Sequence, residues 1–156
     1  MAEATVIQFT VDLKQFSEQV VIEFATVVWR VLLDLLRRLS FRTPKDTGRA
    51  AGSWMISADT PTTEMLPEGD YGQYQSNESA AAAAEAVAQR LLSSVRSDPY
   101  HVWWVVNNVP YIEPLNNGHS QQAPAGFVEL IVAEVEAEML ALMRTPSVGA
   151  GVLSVV

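Results

Sequence analysis

The chain reads as a mixed helix-and-strand domain, and three observations predict it. Apolar residues recur at helical spacing over a long stretch near the start, over 78–96 and again over 127–143. Two short runs rich in aromatic and β-branched residues, Trp54–Ala58 and Tyr100–Val106, separate those stretches. No internal repeat is present, and 156 residues suit one domain with a core of useful size. The order is helix, strand, helix, strand, helix. The expected organisation is a single domain over 1–144 with a long loop at 59–77, then a flexible tail over 145–156.

The first helix is expected from about Asp12 to about Phe41. Phe16, Val20, Phe24, Val27, Val31, Leu35 and Leu39 follow one another at three or four residues, and Val28, Leu32 and Leu36 widen the stripe. At about 1.5 Å per residue this helix is longer than a small domain needs. Trp29 and Arg30 are candidates for a second face that meets a neighbour. Glu23, Arg30 and Asp34 interrupt the apolar run, which argues against a membrane span. Thr43-Pro44 ends the helix, because the residue before proline disfavours helical backbone.

Asp46-Thr47-Gly48 reads as a tight turn, with a side chain able to bond its own backbone and a glycine for positive φ. Trp54–Ala58 leaves it as a strand. The polar stretch Asp59–Asn77, punctuated by Pro61, Pro67, Gly69 and Gly72, is a loop that Tyr71 and Tyr74 are placed to anchor. The alanine run Ala80–Ala84 has the highest helix propensity available and suits a thin, closely packed helix over 78–96. Val87, Leu91, Leu92 and Val95 form its apparent apolar face. Asp98-Pro99 stops it. Tyr100–Val106 reads as a buried strand, with Trp103 and Trp104 on opposite faces. The long polar segment Asn107–Gly126 connects it to the last helix, whose core positions are Phe127, Leu130, Ile131, Val135, Met139 and Leu142.

Composition bounds the function. The chain is 49% hydrophobic and only 18% charged, which is more apolar surface than a small monomer readily hides and points to subunit contacts. Its net charge of −8 disfavours binding to phosphate backbones or anionic lipid. It has no cysteine, which removes disulfides and thiolate metal sites. The start, Met1-Ala2-Glu3-Ala4, is acidic where a signal peptide would be basic.

The candidate chemistries are weak. Asp-Thr-Gly also occurs in aspartic proteases, but the apolar strand around it is missing and a second copy is needed. His119-Ser120 with Asp46 or Glu113 makes a poor triad, since neighbours in a loop seldom present nucleophile and base to each other. His101, His119 and Glu113 lack the spacing of metal ligands on one helix face. Arg30, Arg37, Arg38, Arg42, Lys45 and Arg49 form a basic cluster near the end of the first helix. In an otherwise acidic chain the expected use is a charge-complementary contact with another subunit, rather than DNA.

Two longer motifs carry more. Thr43-Pro44-Lys45-Asp46-Thr47-Gly48-Arg49-Ala50-Ala51-Gly52-Ser53-Trp54 is followed about fifty residues later by Asn107-Asn108-Val109-Pro110-Tyr111-Ile112-Glu113-Pro114-Leu115 and Gly118-His119-Ser120-Gln121-Gln122-Ala123-Pro124-Ala125-Gly126. In words, order and spacing this resembles the neck or tail-completion proteins of long-tailed bacteriophages. The motifs cover about a fifth of the chain, and the element order extends the likeness over most of the rest. Pro114 and Asn116-Asn117 depart from the family pattern.

The resemblance implies an α+β fold, a small antiparallel sheet packed with a long N-terminal helix, a middle helix and a C-terminal helix. It implies a homo-oligomeric ring, commonly a hexamer, at the head–tail neck of the virion, built in the host cytoplasm. Its partners would be the tail tube and the head connector or adaptor proteins. DNA would pass through the lumen without sequence-specific binding, eased there by acidic groups. It implies no enzyme activity, cofactor, metal or membrane. Its interaction residues would be Asp46, Thr47, Gly48, Arg49, Trp54, Asn107, Asn108, Pro110, Tyr111, Glu113, Gly118, His119, Ser120, Gln122, Pro124 and Gly126. The alternatives are a head-completion adaptor or stopper on the portal and, more remotely, a hydrolase using His119.

Overall fold

The computed structural model of the chain describes residues 2–144, the side chains of residues 2–14, 16, 142 and 143 excepted. The tail expected over 145–156 lies outside the described residues. Five α-helices and one two-stranded antiparallel sheet make up the fold among them. They are α1 (Ala2–Arg42), α2 (Arg49–Gly52), β1 (Trp54–Ala58), α3 (Asn77–Ser97), β2 (Trp103–Asn107), α4 (Ile112–Asn116) and α5 (Phe127–Arg144). The mixed fold, the antiparallel sheet and the three long helices agree with expectation.

Helix α1 is longer than its periodicity announces. It starts at Ala2, not near Asp12, and at about 1.5 Å per residue it spans roughly 60 Å. Its apparent single stripe also splits. The buried positions are Ala25, Leu32, Leu36, Leu39 and Ser40, with Thr43 buried just past the helix end, whereas Val20 and Phe24 remain 43% and 41% exposed. The body therefore packs on the carboxyl-terminal half of the helix.

Helix α3 runs antiparallel along that half. Arg37 of α1 faces Glu85, the Trp29 indole donates to the Ala88 carbonyl at 3.4 Å, and Phe24 stacks on Tyr100 just past the end of α3. The neighbour of Trp29 is thus this chain's own α3. The buried face of α3 is Ala80, Ala84, Ala88 and Val95, with the larger Val87, Leu91 and Leu92 only half-buried. Alanines four apart let two backbones approach closely, so the alanine run is the packing face itself. Ser76 caps the helix, accepting from the Ser79 N–H at 3.0 Å.

Helix α5 lies on another flank of α1, and Phe127, Ile131 and Val135 close the core against Leu36, Leu39 and Trp54. Leu130, expected inside, is 49% exposed on the outer side of α5. The Leu142 side chain lies outside the description. Trp54 pairs with Asn107, Ile56 with Val105 and Ala58 with Trp103 along the sheet. That register gives one face Trp54, Ile56, Val105 and Trp103, and Trp54, Ile56 and Val105 join the core. The other face carries Val102, 61% exposed, and Trp104, 40% exposed. The second strand was expected to be buried. Among the described residues its outer face stays partly open, with Val102 and Trp104 exposed.

Candidate functional site, a groove between two clasped loops

The first motif is a set of backbone clasps. The Trp54 indole donates to the Thr43 hydroxyl at 2.8 Å, and that hydroxyl donates to the Leu39 carbonyl at 2.6 Å. This buried relay ties β1 to the end of α1. Gly48 has φ +84°, and a Cβ there would sit 2.6 Å from the Tyr71 carbonyl oxygen, so the position requires glycine. The Thr47 carbonyl accepts from the Tyr71 N–H at 2.8 Å. Arg49, its side chain 11% exposed, donates from Nε to the Leu66 carbonyl at 2.8 Å. The turn therefore holds down the long loop, and Tyr71 and Tyr74 anchor it as expected, around a 3₁₀ turn at Gly72–Tyr74.

The second motif works the same way. Asn107 donates to the Ala50 carbonyl at 2.8 Å, and Asn108 donates to the Thr62 and Glu64 carbonyls, both at 2.9 Å. The segment expected to be loop throughout contains α4. It ends in a left-handed cap at Gly118, φ +86°. The Gly118 N–H donates to the Leu115 carbonyl and the His119 N–H to the Pro114 carbonyl, each at 3.2 Å, which together make a Schellman closure. The chain then returns through Ser120, whose hydroxyl accepts from the Gln122 N–H at 3.2 Å. Ala123 joins the core and Gly126, φ +75°, opens α5.

The two motifs meet through Gln122. Its side-chain amide accepts from the Lys45 N–H and donates to the Lys45 carbonyl, both at 2.8 Å, as a neighbouring strand would. Between them lies an open groove of about 590 Å³, walled by 44–50 of the first motif, by Glu68-Gly69, and by Tyr111, Leu115, His119, Ser120 and Gln122 of the second. Asp46, Thr47, Gly48, Arg49, Tyr111, His119, Ser120 and Gln122 of the expected interaction residues line it. The other eight do not. Trp54, Asn107 and Asn108 act as internal ties, Gly118 and Gly126 set backbone turns, and Pro110, Glu113 and Pro124 are exposed away from the groove walls.

The Lys45 ammonium donates to the Phe41 and Thr43 carbonyls, both at 2.8 Å, and so caps α1. Those acceptors favour the charged form. Burial opposes it and prevails, pushing the amine down to about 8, with Glu78 pulling weakly the other way. Among the described residues the Ser120 hydroxyl engages the Gln122 backbone and not His119, and no cluster of His, Asp and Glu is placed to hold a metal. His101 lies elsewhere, between Asp59 at 2.7 Å and Asp98 at 3.4 Å.

Most of the basic cluster is engaged inside the chain. Arg38 pairs with Asp34, Glu134 and Glu138, Arg42 with Glu134, and Arg37 weakly with Glu85. Arg42 first, then Arg38, holds the Glu134 carboxyl below its usual range. The acidic partner expected on another subunit is mostly this chain's own α5.

Sequence reading also missed a residue. Asn116, noted only as a departure, clasps the start of α5. Its Oδ1 accepts from the Val128 N–H at 2.9 Å, its carbonyl accepts from the Gly126 N–H at 2.6 Å, and its amide donates to Glu129 at 2.8 and 2.9 Å. This is a helix N-cap supplied from ten residues upstream, so local capping rules do not reveal it. Among the described residues no helix is long and apolar enough to cross a membrane. No protein-family model, curated protein or solved structure matches the chain.

Proposed function

We propose that this protein is a structural component of a tailed-phage virion that acts at the top of the tail. It forms a ring that completes the tail and joins it to the head connector. One observation carries most of the support. The two motifs that resemble the neck proteins, far apart in sequence, converge on one groove and are stitched together by the Lys45–Gln122 amide pair. A unit in which distant motifs clasp each other is built to present a fixed surface. The groove's polar rim and its aromatic Tyr111 suit a protein partner. Unpartnered apolar side chains elsewhere, among them Trp104, Val102 and Leu130, suit further subunit contacts. The role is structural rather than catalytic, needs no cofactor and involves no membrane.

The test has two readings. Light scattering gives the absolute mass of the purified chain, and negative-stain images of the same fraction give its shape. The protein is then added to tails assembled without it, and head joining is scored. A hexameric ring, or a monomer that becomes a ring on tails, together with restored joining, supports the reading. Tails that neither bind the protein nor depend on it for joining remove it. In that mixture Asp46→Ala with Tyr111→Ser, two exposed groove positions, is expected to weaken binding to tails by about tenfold with the fold intact.

A further inference from the structure

We infer that the open edge of β2 pairs with the same edge of a second copy of this chain, antiparallel and two-fold, so that the two sheets join into one. The inference stands apart from the phage reading, since a two-fold pair is closed and neither forms nor forbids a ring.

The ladder shows which backbone groups are free. The Asp59 N–H donates to the Val102 carbonyl at 2.7 Å, one step beyond the last pair of the sheet, Ala58 with Trp103. Bonded pairs alternate with unbonded ones in an antiparallel ladder. Val102, Trp104 and Val106 therefore turn their backbone groups toward β1, and Trp103, Val105 and Asn107 turn theirs away from it. Among the described residues the N–H and C=O groups of those three meet no other backbone.

The two strands differ in what attends them. Beside β1 runs the chain's own loop: the Ala58 carbonyl accepts from the Thr60 N–H at 2.7 Å, the Ser57 hydroxyl from the Thr62 N–H at 3.2 Å and the Ser53 hydroxyl from the Leu66 N–H at 3.2 Å. The free edge of β2 has no such escort. From Trp103 to Asn107 it also carries no charge, proline or bulge, the devices that keep natural edges apart. An edge left in that state is a template for another strand.

A second copy fits it. Val102 to Ile112 holds no charged residue in a chain of net charge −8, so two copies meet there without a row of like charges. The register that overlaps the whole of β2 sets Val105 opposite the partner's Val105 and Trp104 opposite the partner's Val106. Trp104, left 40% exposed by its own chain, thereby gains an apolar cross-strand neighbour. Five residues a side make a small contact, below about 1,200 Å² in total, so the pair is expected to form at high protein concentration and to part on dilution.

The chain has no cysteine, so introduced ones are its only thiols. Trp104→Cys mixed with Val106→Cys is expected to give covalent mixed dimers under mild oxidation, because the two positions face each other in an unbonded pair with Cα atoms about 4.5 Å apart. Glu136→Cys, exposed on α5, is expected to stay single. In parallel, Val105→Pro removes an outward N–H at the centre of the pair and leaves the bonds to β1 in place, and Trp104→Lys sets a charge on the edge. Each is expected to halve the light-scattering mass at high concentration with helical content unchanged. Four results overturn the proposal: a wild-type chain that is monomeric at its highest soluble concentration, mixed dimers no more abundant than those of Glu136→Cys, an oligomer whose mass ignores both folded edge variants, or a dimer that appears only when 145–156 is deleted. The last would make the chain's own tail the strand on this edge.

Discussion

The two halves of α1 belong to one unbroken helix and are used in opposite ways. From Ala25 onward nearly every side chain is engaged: alanines of α3 against one flank, Glu134 and Glu138 of α5 against another, the Trp54–Thr43 relay at the end. Toward the start, the described residues from Gln15 to Val20 meet solvent. The lesson concerns apolar content. In the carboxyl-terminal half it measures the core. At Val20, Ile22 and Phe24, as on the outer sheet face with Val102 and Trp104, it measures what the monomer leaves uncovered. Substitutions in the first region are expected to change stability and leave mass alone. Substitutions in the second are expected to do the reverse.

The hardest strike on the packed half is Phe127→Ala. Phe127 is fully buried and touches the core shared by α1, α3 and β1, so its loss is expected to cost about 3–5 kcal/mol. Chemical denaturation measures it. A cost below about 1 kcal/mol would mean that α5 is loosely docked and that the contrast between the halves is wrong. Next comes Gly48→Ala. The positive φ and the 2.6 Å approach to the Tyr71 carbonyl act together, for an expected loss of about 2–3 kcal/mol. Because Tyr71 belongs to the long loop, limited proteolysis between 59 and 77 is expected to accelerate as well. An unchanged cleavage rate would separate the turn from the loop it is said to hold.

Much of this was legible in the sequence, and the exceptions share a cause. Element order, the alanine helix and the turn at Asp46-Thr47-Gly48 all rest on local rules of propensity and backbone bonding, which a single chain displays. Leu130 and the second strand were placed inside because apolar residues at the right period look alike whether their cover comes from this chain or from another. The stripe of α1 misled for the same reason: Val20 and Phe24 continue the period of Val27 and Val31 while leaving the face that the body covers. Charge misled differently. Arg38 and Arg42 cluster in sequence, and apart from Asp34 the acids that neutralise them are 92 to 100 residues away. In the groove, the motif words marked which segments meet, yet not that half of their residues stay out of it, as internal ties, backbone turns or exposed positions.

Asn116 sharpens the comparison at an intermediate size. Asn116→Ala removes the cap from α5 and is expected to cost about 1–2 kcal/mol, read from thermal melts. Asn116→Asp keeps the acceptor for the Val128 N–H but sets a carboxylate against Glu129, whose own carboxyl the Asn116 amide now holds below its usual range. The aspartate variant is therefore expected to recover part of the loss near pH 4 and little at pH 7. Equal melting temperatures for the two variants at both pH values would deny that the amide bridges α4 and α5.

The smallest expected effect concerns the end of the packed half. Lys45 caps α1 with its ammonium, yet burial lowers its pKa to about 8, below the ordinary lysine value of about 10.4. Between those two values the unfolded chain holds more protons at this site than the folded one. Stability contributed by Lys45 therefore rises as pH climbs from 8 toward 10.4 and is flat below 8, because burying the charge is unfavourable wherever the charge persists. Lys45→Met is expected to flatten that rise, at the cost of two carbonyls left without their donor. In a titration followed by NMR of its side-chain amine, Lys45 is expected to lose its proton near pH 8. Titration at the ordinary lysine value would mean that the groove end of α1 is open to water, and the distinction between the two halves would then rest on packing alone.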